Sequence, residues 1–281
     1  MSPDFREDRK NEYQSDHAAI SLSNTTVKGN RASNVWNSVV GGAQYFSEDI
    51  KIVINNNNGN DPSPVTGDEI MSQLKGVIAP FTTPFKESGD IDLNLVPTQV
   101  DWLIANGVHG LAAGGSTGEG HALSRDEYRL LMAETADAIA GRVPLVAGII
   151  ANSTAEVAAR GDLVKDLGVA ALQVTPPSYL FRPDDDAMVQ HFRDIHAACG
   201  VPILIYNVVP WCYLSPDLLL RIMAEVPGVL GVKQSAGDMK LFADLIRRAK
   251  PENLIFSAVD ALLFSSYQLG APGSIAAILT A

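Results

Sequence analysis

The chain has 281 residues, of which 46% are hydrophobic and 19% charged, and a formal net charge of −11. This composition is ordinary for a globular protein, and the excess of acids argues against nucleic-acid binding, which needs clustered Lys and Arg. The two cysteines, Cys199 and Cys212, have no metal-ligand or paired spacing, so we expect neither a zinc site nor a disulfide framework. There is no apolar run of the ~18 residues that span a bilayer and no apolar targeting segment, so a cytoplasmic protein is expected.

Residues 1–70 differ from the rest of the chain. They are polar, rich in Asn and Ser, and contain two short β-like pieces at 39–40 and 50–54. Such a segment cannot bury enough apolar surface to offset the entropy lost on ordering. We therefore predict a mostly irregular, disordered or loosely attached extension over 1–70 and a regular domain over 71–281.

From Gly76 onward one pattern repeats, in which a short apolar run ends in a turn and an amphipathic stretch follows. The apolar runs cover residues 76–81, 110–115, 144–150, 171–177, 202–207, 229–234, 254–260 and 274–279. Helical patterns cover residues 94–106, 124–140, 153–168, 184–199, 215–225, 238–250 and 261–269. Apolar rather than alternating strands indicate a parallel sheet covered on both faces. Eight such units favour a (β/α)8 TIM barrel over an open doubly wound sheet, here without a helix after the last strand.

Helix boundaries are marked by local residues. The spacings Ser124 to Glu127 and Ser153 to Glu156 predict two capping boxes, and Ser215-Pro216 predicts an N-cap followed by proline at the first helical position. Glycines at 107, 141, 168, 200 and 270 are typical of helix ends.

Lys233 lies within the apolar run VLGVKQ, whereas the other eight lysines fall in the N-terminal segment, in predicted loops or on helix faces. A buried ammonium is costly unless it is paired or neutral. A desolvated lysine with a pKa lowered from ~10.4 toward 7–8 is a good nucleophile for a carbonyl carbon. The alternative is a strand-end lysine that extends between helices to water.

Tyr206 lies at the end of the preceding strand. Neighbouring strands run ~4.8 Å apart, so its phenol could meet Lys233 and move protons during imine formation and cleavage of an adjacent C–C bond. A packed core tyrosine is the alternative interpretation. Other polar strand-end residues include Thr82, Asn152 and Asp260.

The turn GGSTGEG, residues 114–120, follows the second strand. Its backbone amides and the hydroxyls of Ser116 and Thr117 could bind a carboxylate, although glycines also serve turn geometry alone. The string matches G-x-S-x-G of serine hydrolases. That interpretation is disfavoured because the next helix begins only at Ser124 and because His191 and His196 fall in a predicted helix. No histidine has metal-ligand spacing, and no Walker lysine or G-x-G-x-x-G motif is present, so neither a metal nor an organic cofactor is expected.

These pieces together resemble the dihydrodipicolinate synthase/N-acetylneuraminate lyase family of pyruvate-type class I aldolases. The matching stretches, between residues 74 and 279, are GVIAPFTTPF with GDID, GGSTGEG, LSRDEY, GRVPLVAG, VTPPSY, LIYN before a proline, GVKQSAGD, SAVD and LGAPGSI. The resemblance implies a (β/α)8 barrel, with Lys233 as the Schiff-base lysine and Tyr206 as the general acid/base.

The same resemblance implies further roles and an assembly. Ser116 and Thr117 would hold the keto-acid carboxylate, Thr117 would also act in a proton relay, and Tyr179 would reach a neighbouring subunit's relay. Gly118 and Thr82 complete the predicted substrate-binding set. Family members are commonly tetramers built from dimers, so a homo-oligomer is expected.

Three departures from the family pattern affect the predicted activity. The residues after Tyr206-Asn207 contain Trp211 and no arginine, whereas true dihydrodipicolinate synthases carry an arginine there for the second substrate's carboxylate. Ser178 stands where many members have an aromatic residue, and the family's C-terminal helices do not follow. We therefore predict a Schiff-base-forming lyase or aldolase for pyruvate or a 2-keto-3-deoxy acid. The alternatives are a 4-hydroxy-tetrahydrodipicolinate synthase proper or a non-catalytic keto-acid-binding remnant.

Overall fold

The fold is a closed barrel of parallel strands, seen in a computed structural model that describes residues 74–280. The strands are β1 (Gly76–Pro80), β2 (Gly110–Ala113), β3 (Leu145–Ile149), β4 (Ala171–Val174), β5 (Ile203–Asn207), β6 (Val229–Gln234), β7 (Leu254–Ser257) and β8 (Gly273–Ser274). They pair in chain order, and β8 pairs with β1 to close the sheet. The predicted (β/α)8 barrel is confirmed. The extension predicted for residues 1–70 lies outside the described residues, so the domain division stays a prediction.

Helices alternate with the strands as the periodicity predicts. They are α1 (Val96–Ala105), α2 (Arg125–Ile139), α3 (Thr154–Asp162), α4 (Asp185–Cys199), α5 (Pro216–Glu225), α6 (Met239–Arg248) and α7 (Leu263–Gln268). Short 3-10 turns lie at Leu93–Leu95, Pro210–Cys212, Asp260–Leu262 and Ala277–Thr280. None of the helices among these described residues is long and apolar enough to cross a membrane.

The helix starts follow their capping residues, with one exception. Ser124 and Glu127 form the predicted reciprocal box at the start of α2, and Ser215 caps α5 with Pro216 at the first position. The second predicted box is wrong. Ser153 does accept a hydrogen bond from the Glu156 amide, but the Glu156 carboxylate turns away to pair with two arginines.

Two element ends differ most from the prediction. Helix α3 ends at Asp162 rather than at 168, because the following bonds tighten to i→i−3, as from the Val164 amide to the Gly161 carbonyl at 3.2 Å. Such tightening is common where a helix runs out of i→i−4 partners. Strand β8 has two residues rather than six. The chain beyond it folds into the 3-10 turn, where the Ile278 amide donates to Asp260 at 3.3 Å.

Alternate residues of each strand serve two apolar layers. In β1, Ile78 belongs to the cluster that fills the barrel, while Ala79 belongs to the larger cluster between barrel and helices. This alternation places residues in step with Ile78 inside the barrel. Tyr206, in step with the interior Leu204, therefore points inward at the C-terminal rim, the end of the barrel formed by the carboxyl ends of the strands.

Candidate active site

Lys233 and Tyr206 form the centre of the C-terminal rim. They are register partners on the neighbouring strands β6 and β5, and each is only 6% exposed. The Nζ atom of Lys233 lies over the Tyr206 ring, 4.0 Å from its centroid. The predicted meeting of amine and phenol is therefore present, and the alternative of a lysine extending to water does not fit the geometry.

Burial lowers the pKa of Lys233 from 10.5 to about 7. None of the ion pairs found in the described part of the chain includes its ammonium. Removal from water without a carboxylate partner disfavours the charged form. Near neutral pH a large share of this amine is therefore unprotonated, which is the nucleophilic form.

The phenol of Tyr206 is connected to the glycine turn, residues 114–120. The Ser116 hydroxyl donates to the Tyr206 oxygen at 3.3 Å. Burial raises the pKa of Tyr206, and hydrogen bonds with the hydroxyls of Ser116 and Ser235 oppose that rise. The turn hydroxyl that contacts the phenol belongs to Ser116, and the relay role predicted for Thr117 stays a prediction. Sequence spacing could not separate two adjacent hydroxyls in a turn.

The glycine turn is fixed by close backbone approaches. Gly114 has a φ of +64°, and a Cβ on Gly120 would lie 1.7 Å from the Gly114 carbonyl oxygen. The amides of Glu119 and Gly120 donate within the turn, to Ser116 and Gly115. The amides of Ser116, Thr117 and Gly118 donate to no acceptor among residues 74–280. These three donors lack a partner in the described part of the chain, and their predicted binding to an anion stays a prediction.

Thr82 and Thr83 divide the roles expected at the end of β1. The exposed Thr82 accepts a hydrogen bond from Gln99 of α1 at 3.0 Å. The buried Thr83 donates to the Gly118 carbonyl at 2.6 Å. Thr83 therefore contacts the turn, and the substrate-binding role predicted for Thr82 stays a prediction.

Tyr179 lies on an exposed segment at the same end of the barrel. Its side chain is 74% exposed and follows Ser178, while Leu180 and Phe181 next to it are 69% and 79% exposed. The backbone is held by Asn152, whose side-chain oxygen accepts from the amides of Ser178 and Tyr179 at 3.0 Å each. Within residues 74–280, no contact is found between Tyr179 and Tyr206.

The loop after β5, residues 208–214, forms the other side of the rim. The Asn207 side chain ties both ends of this loop by accepting from the Leu214 amide at 2.9 Å and donating to its carbonyl at 3.1 Å. Trp211 is 69% exposed, and its indole donates to the Ser178 carbonyl at 2.9 Å.

Sequence reasoning missed two buried polar residues near the glycine turn. Gln173 of β4 is 1% exposed with its side-chain oxygen unpartnered, and its Nε2 would lie 3.3 Å from a Cβ on Gly115. Arg160 of α3 is 9% exposed and contacts the segment that follows the turn. A glutamine in an apolar strand could have been noticed, whereas an arginine four residues after Glu156 looks like an ordinary surface pair.

The serine hydrolase alternative finds no support in this geometry. The hydroxyl of Ser116 faces a phenol. Both histidines weighed as partners are engaged elsewhere, His191 with Thr154 at 2.9 Å and His196 with the Val201 carbonyl at 3.2 Å.

A closed (β/α)8 barrel with its buried polar groups gathered at the C-terminal rim is the arrangement of barrel enzymes. Comparison with known proteins agrees with this class. The sequence pattern of the dihydrodipicolinate synthetase family matches residues 73–280. The 4-hydroxy-tetrahydrodipicolinate synthase of Ralstonia nicotianae is 35% identical over 208 residues, which are 73% of this chain and 70% of that protein. The Bacillus subtilis enzyme of the same name is 31% identical, covering 69% and 67%.

Solved structures give the same result. Dihydrodipicolinate synthase from Aquifex aeolicus superposes with a TM-score of 0.70 at 26% identity, over 73% of this chain and 70% of that one. The Acinetobacter baumannii dihydrodipicolinate synthase, solved in complex with pyruvate, gives a TM-score of 0.70 at 31% identity, over 73% and 71%. This chain belongs to the dihydrodipicolinate synthetase family and is a dihydrodipicolinate synthase-like lyase.

Proposed function

We propose that the protein forms a Schiff base between Lys233 and pyruvate or a 2-keto-3-deoxy acid, and makes or breaks a C–C bond next to it. The observation that carries the proposal is the buried amine over the Tyr206 ring, with a pKa lowered to about 7. The pyruvate complex of the Acinetobacter baumannii relative supports the choice of keto acid.

Imine formation needs one nucleophile and a proton carrier. The neutral Nζ of Lys233 adds to the ketone carbon, and the carbonyl oxygen takes a proton to give a carbinolamine. Loss of that hydroxyl as water leaves the protonated imine. Tyr206 is placed to give and take these protons, and Ser116 links it to the substrate side through the 3.3 Å hydrogen bond. A phenol can serve both directions because it exchanges one proton per step.

The protonated imine then acts as the electron sink. Loss of a proton from C3 gives an enamine, whose carbon adds to an aldehyde, and hydrolysis releases the product and the free amine. In the reverse direction a 2-keto-3-deoxy acid is cleaved to pyruvate and an aldehyde. This chemistry is supplied by the lysine itself.

The keto-acid carboxylate is proposed to lie against the glycine turn. The amides of Ser116, Thr117 and Gly118 have no acceptor within residues 74–280, and converging amides favour an anion. The hydroxyl of Thr117, half-buried beside them, adds a further donor. Among the predicted binding residues Thr82 has the weakest case, since its hydroxyl is engaged by Gln99.

The second substrate is proposed to be a less anionic aldehyde than that of the true dihydrodipicolinate synthases. The loop after β5 presents Trp211, and its indole is anchored on the Ser178 carbonyl. A 4-hydroxy-tetrahydrodipicolinate synthase activity is the second candidate, because the relatives carry that name. A panel of neutral and carboxylated aldehydes, assayed by pyruvate consumption, separates the two.

A second copy of the chain is proposed to cover the exposed segment around Tyr179. Three consecutive large side chains, Tyr179, Leu180 and Phe181, are exposed there, and contiguous apolar surface often marks an interface. In a homo-oligomer Tyr179 would enter a neighbour's relay, as the family resemblance implies. Oligomeric state by light scattering tests this part, while the cytoplasmic location stays a prediction from sequence.

Borohydride trapping tests the central proposal. Incubation with pyruvate and sodium borohydride should reduce the imine to a stable secondary amine, which peptide mass mapping should place on Lys233. Lactate, which has the carboxylate but no ketone, is the matched control and should give no adduct. A folded protein that binds pyruvate by calorimetry but yields no adduct would support the non-catalytic binding alternative and end the Schiff-base proposal.

A further inference from the structure

We propose that Arg160 is a positioning residue that holds the glycine turn in its carboxylate-binding geometry. The inference rests on the proposed function, since it concerns the turn that would bind the keto-acid carboxylate. Arg160 lies on α3, well away in sequence from the turn at residues 114–120. It is not among the residues predicted from the motifs.

Arg160 connects to the backbone at the last residue of the turn and just after it. Its Nη2 donates to the Leu123 carbonyl at 2.8 Å and its Nη1 to the Gly120 carbonyl at 3.4 Å. Its Nε donates to Glu156 at 2.8 Å. With the side chain only 10% exposed, these carbonyls have little water to replace the guanidinium.

The same guanidinium also contacts an aromatic ring that packs against the start of the turn. Its carbon lies 5.3 Å from the centroid of the Tyr128 ring, a cation–π distance. Tyr128 is fully buried, and its ring closely underlies Gly114, because a Cβ added there would meet Cε2 at 3.0 Å. Arg160 therefore contacts the exit of the turn through hydrogen bonds and its start through the Tyr128 ring.

A fork of donors is needed for this arrangement. Three groups, the two carbonyls and the Glu156 carboxylate, lie in different directions around one planar guanidinium, whereas an ammonium is a compact point charge. Arg125 provides an internal comparison. It also pairs with Glu156, but its side chain is 55% exposed and its hydrogen bonds go to Glu156 rather than to the turn.

Removal of the guanidinium should act on carboxylate binding and leave the amine chemistry in place. The Gly120 and Leu123 carbonyls would lose a buried donor, and the segment would relax toward other partners or water. The amides of Ser116, Thr117 and Gly118 would then shift from the positions proposed for carboxylate binding. Lys233 and Tyr206 lie on β6 and β5 and do not contact Arg160, so imine formation itself remains possible.

The test compares two ketones in borohydride trapping on the full chain. Pyruvate carries a carboxylate, and hydroxyacetone does not, but both can form an imine with Lys233. In Arg160→Met we expect the half-saturating pyruvate concentration to rise about 10- to 100-fold, the range for small misplacements of binding groups. The half-saturating concentration of hydroxyacetone should stay unchanged, and Arg125→Met should leave both values at wild type.

Each outcome separates this inference from the proposed function. Absence of any adduct in the wild-type protein would refute the proposed function and remove the basis of the inference. A wild-type adduct with equal losses for both ketones in Arg160→Met would overturn the positioning role, because the damage would be general. Unchanged pyruvate saturation would overturn it as well. Arg160→Lys, which retains a charge, serves if the methionine variant does not fold, and it should show the same selective change at smaller size.

Discussion

The two sides of the C-terminal rim are held in different ways. On one side the glycine turn, residues 114–120, is locked by backbone contacts that leave no room for a Cβ on Gly120. On the other side the loop at 208–214 is tied at its base by one side chain, Asn207, and carries the exposed Trp211.

The difference indicates where the site can change. A turn fixed by its backbone presents the same donors whatever side chains surround it, which suits a carboxylate common to all substrates. A loop held by side-chain hydrogen bonds can replace the residues at its tip at small cost to the fold. Chemistry is therefore expected from the turn and the strands, and choice of the second substrate from the loop.

The largest expected effect on the fixed side is that of Lys233→Met. The variant should form no borohydride adduct with pyruvate at any concentration, because no other described lysine is buried at the rim. Lys240→Met, at an exposed position of α6, is the control and should keep the full adduct. A residual adduct in the Lys233 variant would place the reacting amine elsewhere.

The same variant should change how stability depends on pH. The folded-state pKa of Lys233 is about 7 against 10.5 for the ordinary group. The unfolded chain therefore binds more protons between these values, and stability rises with pH there. The cost of the buried amine is complete below pH 7 and absent above pH 10.5. Below pH 7, Lys233→Met should be more stable than the wild-type protein by on the order of a few kcal/mol, as measured by urea titration. Its stability should also no longer rise with pH between 7 and 10.5.

Gly120→Ala tests the rigidity of the turn. A Cβ there would lie 1.7 Å from a backbone oxygen, so the turn must open, and we expect a loss of roughly 3 kcal/mol or more in the free energy of unfolding. Saturable pyruvate binding, measured by calorimetry, should disappear with it.

Gly115→Ala is the matched control within the same turn. Its Cβ would first meet the end of the flexible Gln173 side chain at 3.3 Å, so the cost should stay below about 1.5 kcal/mol. If both variants were equally stable, the contrast between a locked turn and an adaptable loop would be lost.

Tyr206→Phe removes the hydroxyl and keeps the aromatic ring. The ring that stacks on Lys233 at 4.0 Å remains, so the protein should fold, while imine formation should slow by about 10²- to 10⁴-fold in quench-flow trapping. Equal rates for Tyr206→Phe and wild type would exclude the phenol from the relay.

Ser116→Ala removes one hydrogen bond to the phenol and should slow the same step roughly tenfold or less.

The smallest effect is expected on the loop side. Trp211→Phe removes the hydrogen bond to the Ser178 carbonyl and should change stability by no more than about 1 kcal/mol, with pyruvate saturation unchanged. The preference among aldehydes should shift instead. Trp102→Phe is the control, because Trp102 is also exposed, at 51%, but lies on α1 rather than in the loop. It should change neither pyruvate saturation nor the preference among aldehydes. A large loss of pyruvate affinity in Trp211→Phe would show that the loop also holds the first substrate.

The strands and the contact between Lys233 and Tyr206 could be predicted because each leaves a local signal. An apolar run buried on both faces gives the strand, and a single lysine inside such a run gives Lys233. Its proximity to Tyr206 follows from the order of strands in a barrel. The eighth strand was overestimated because apolar residues 275–279 look alike whether they pair in a sheet or fold into the 3-10 turn that follows Ser274.

The parts that sequence could not supply depend on side-chain direction in irregular segments. Nothing in the string GGSTGEG tells which of Ser116 and Thr117 faces the phenol, or that Thr83 rather than Thr82 contacts the turn. The support from Arg160 depends on the packing of α3 against the segment after β2, a tertiary contact with no periodic signature. The role predicted for the exposed Tyr179 depends on contact with a second copy of the chain.

The stacking of Lys233 on Tyr206 has a stereochemical consequence. The aromatic face occupies one flank of the nitrogen at 4.0 Å, so the carbon bound to that nitrogen is screened on one side. An enamine formed there would be open to an electrophile from the opposite side alone. New bonds at C3 should therefore form on one face only, set by the position of one ring. Because C3 becomes a CH2 group in the product, this selectivity can be seen only with pyruvate whose methyl group is made chiral by isotopic labelling.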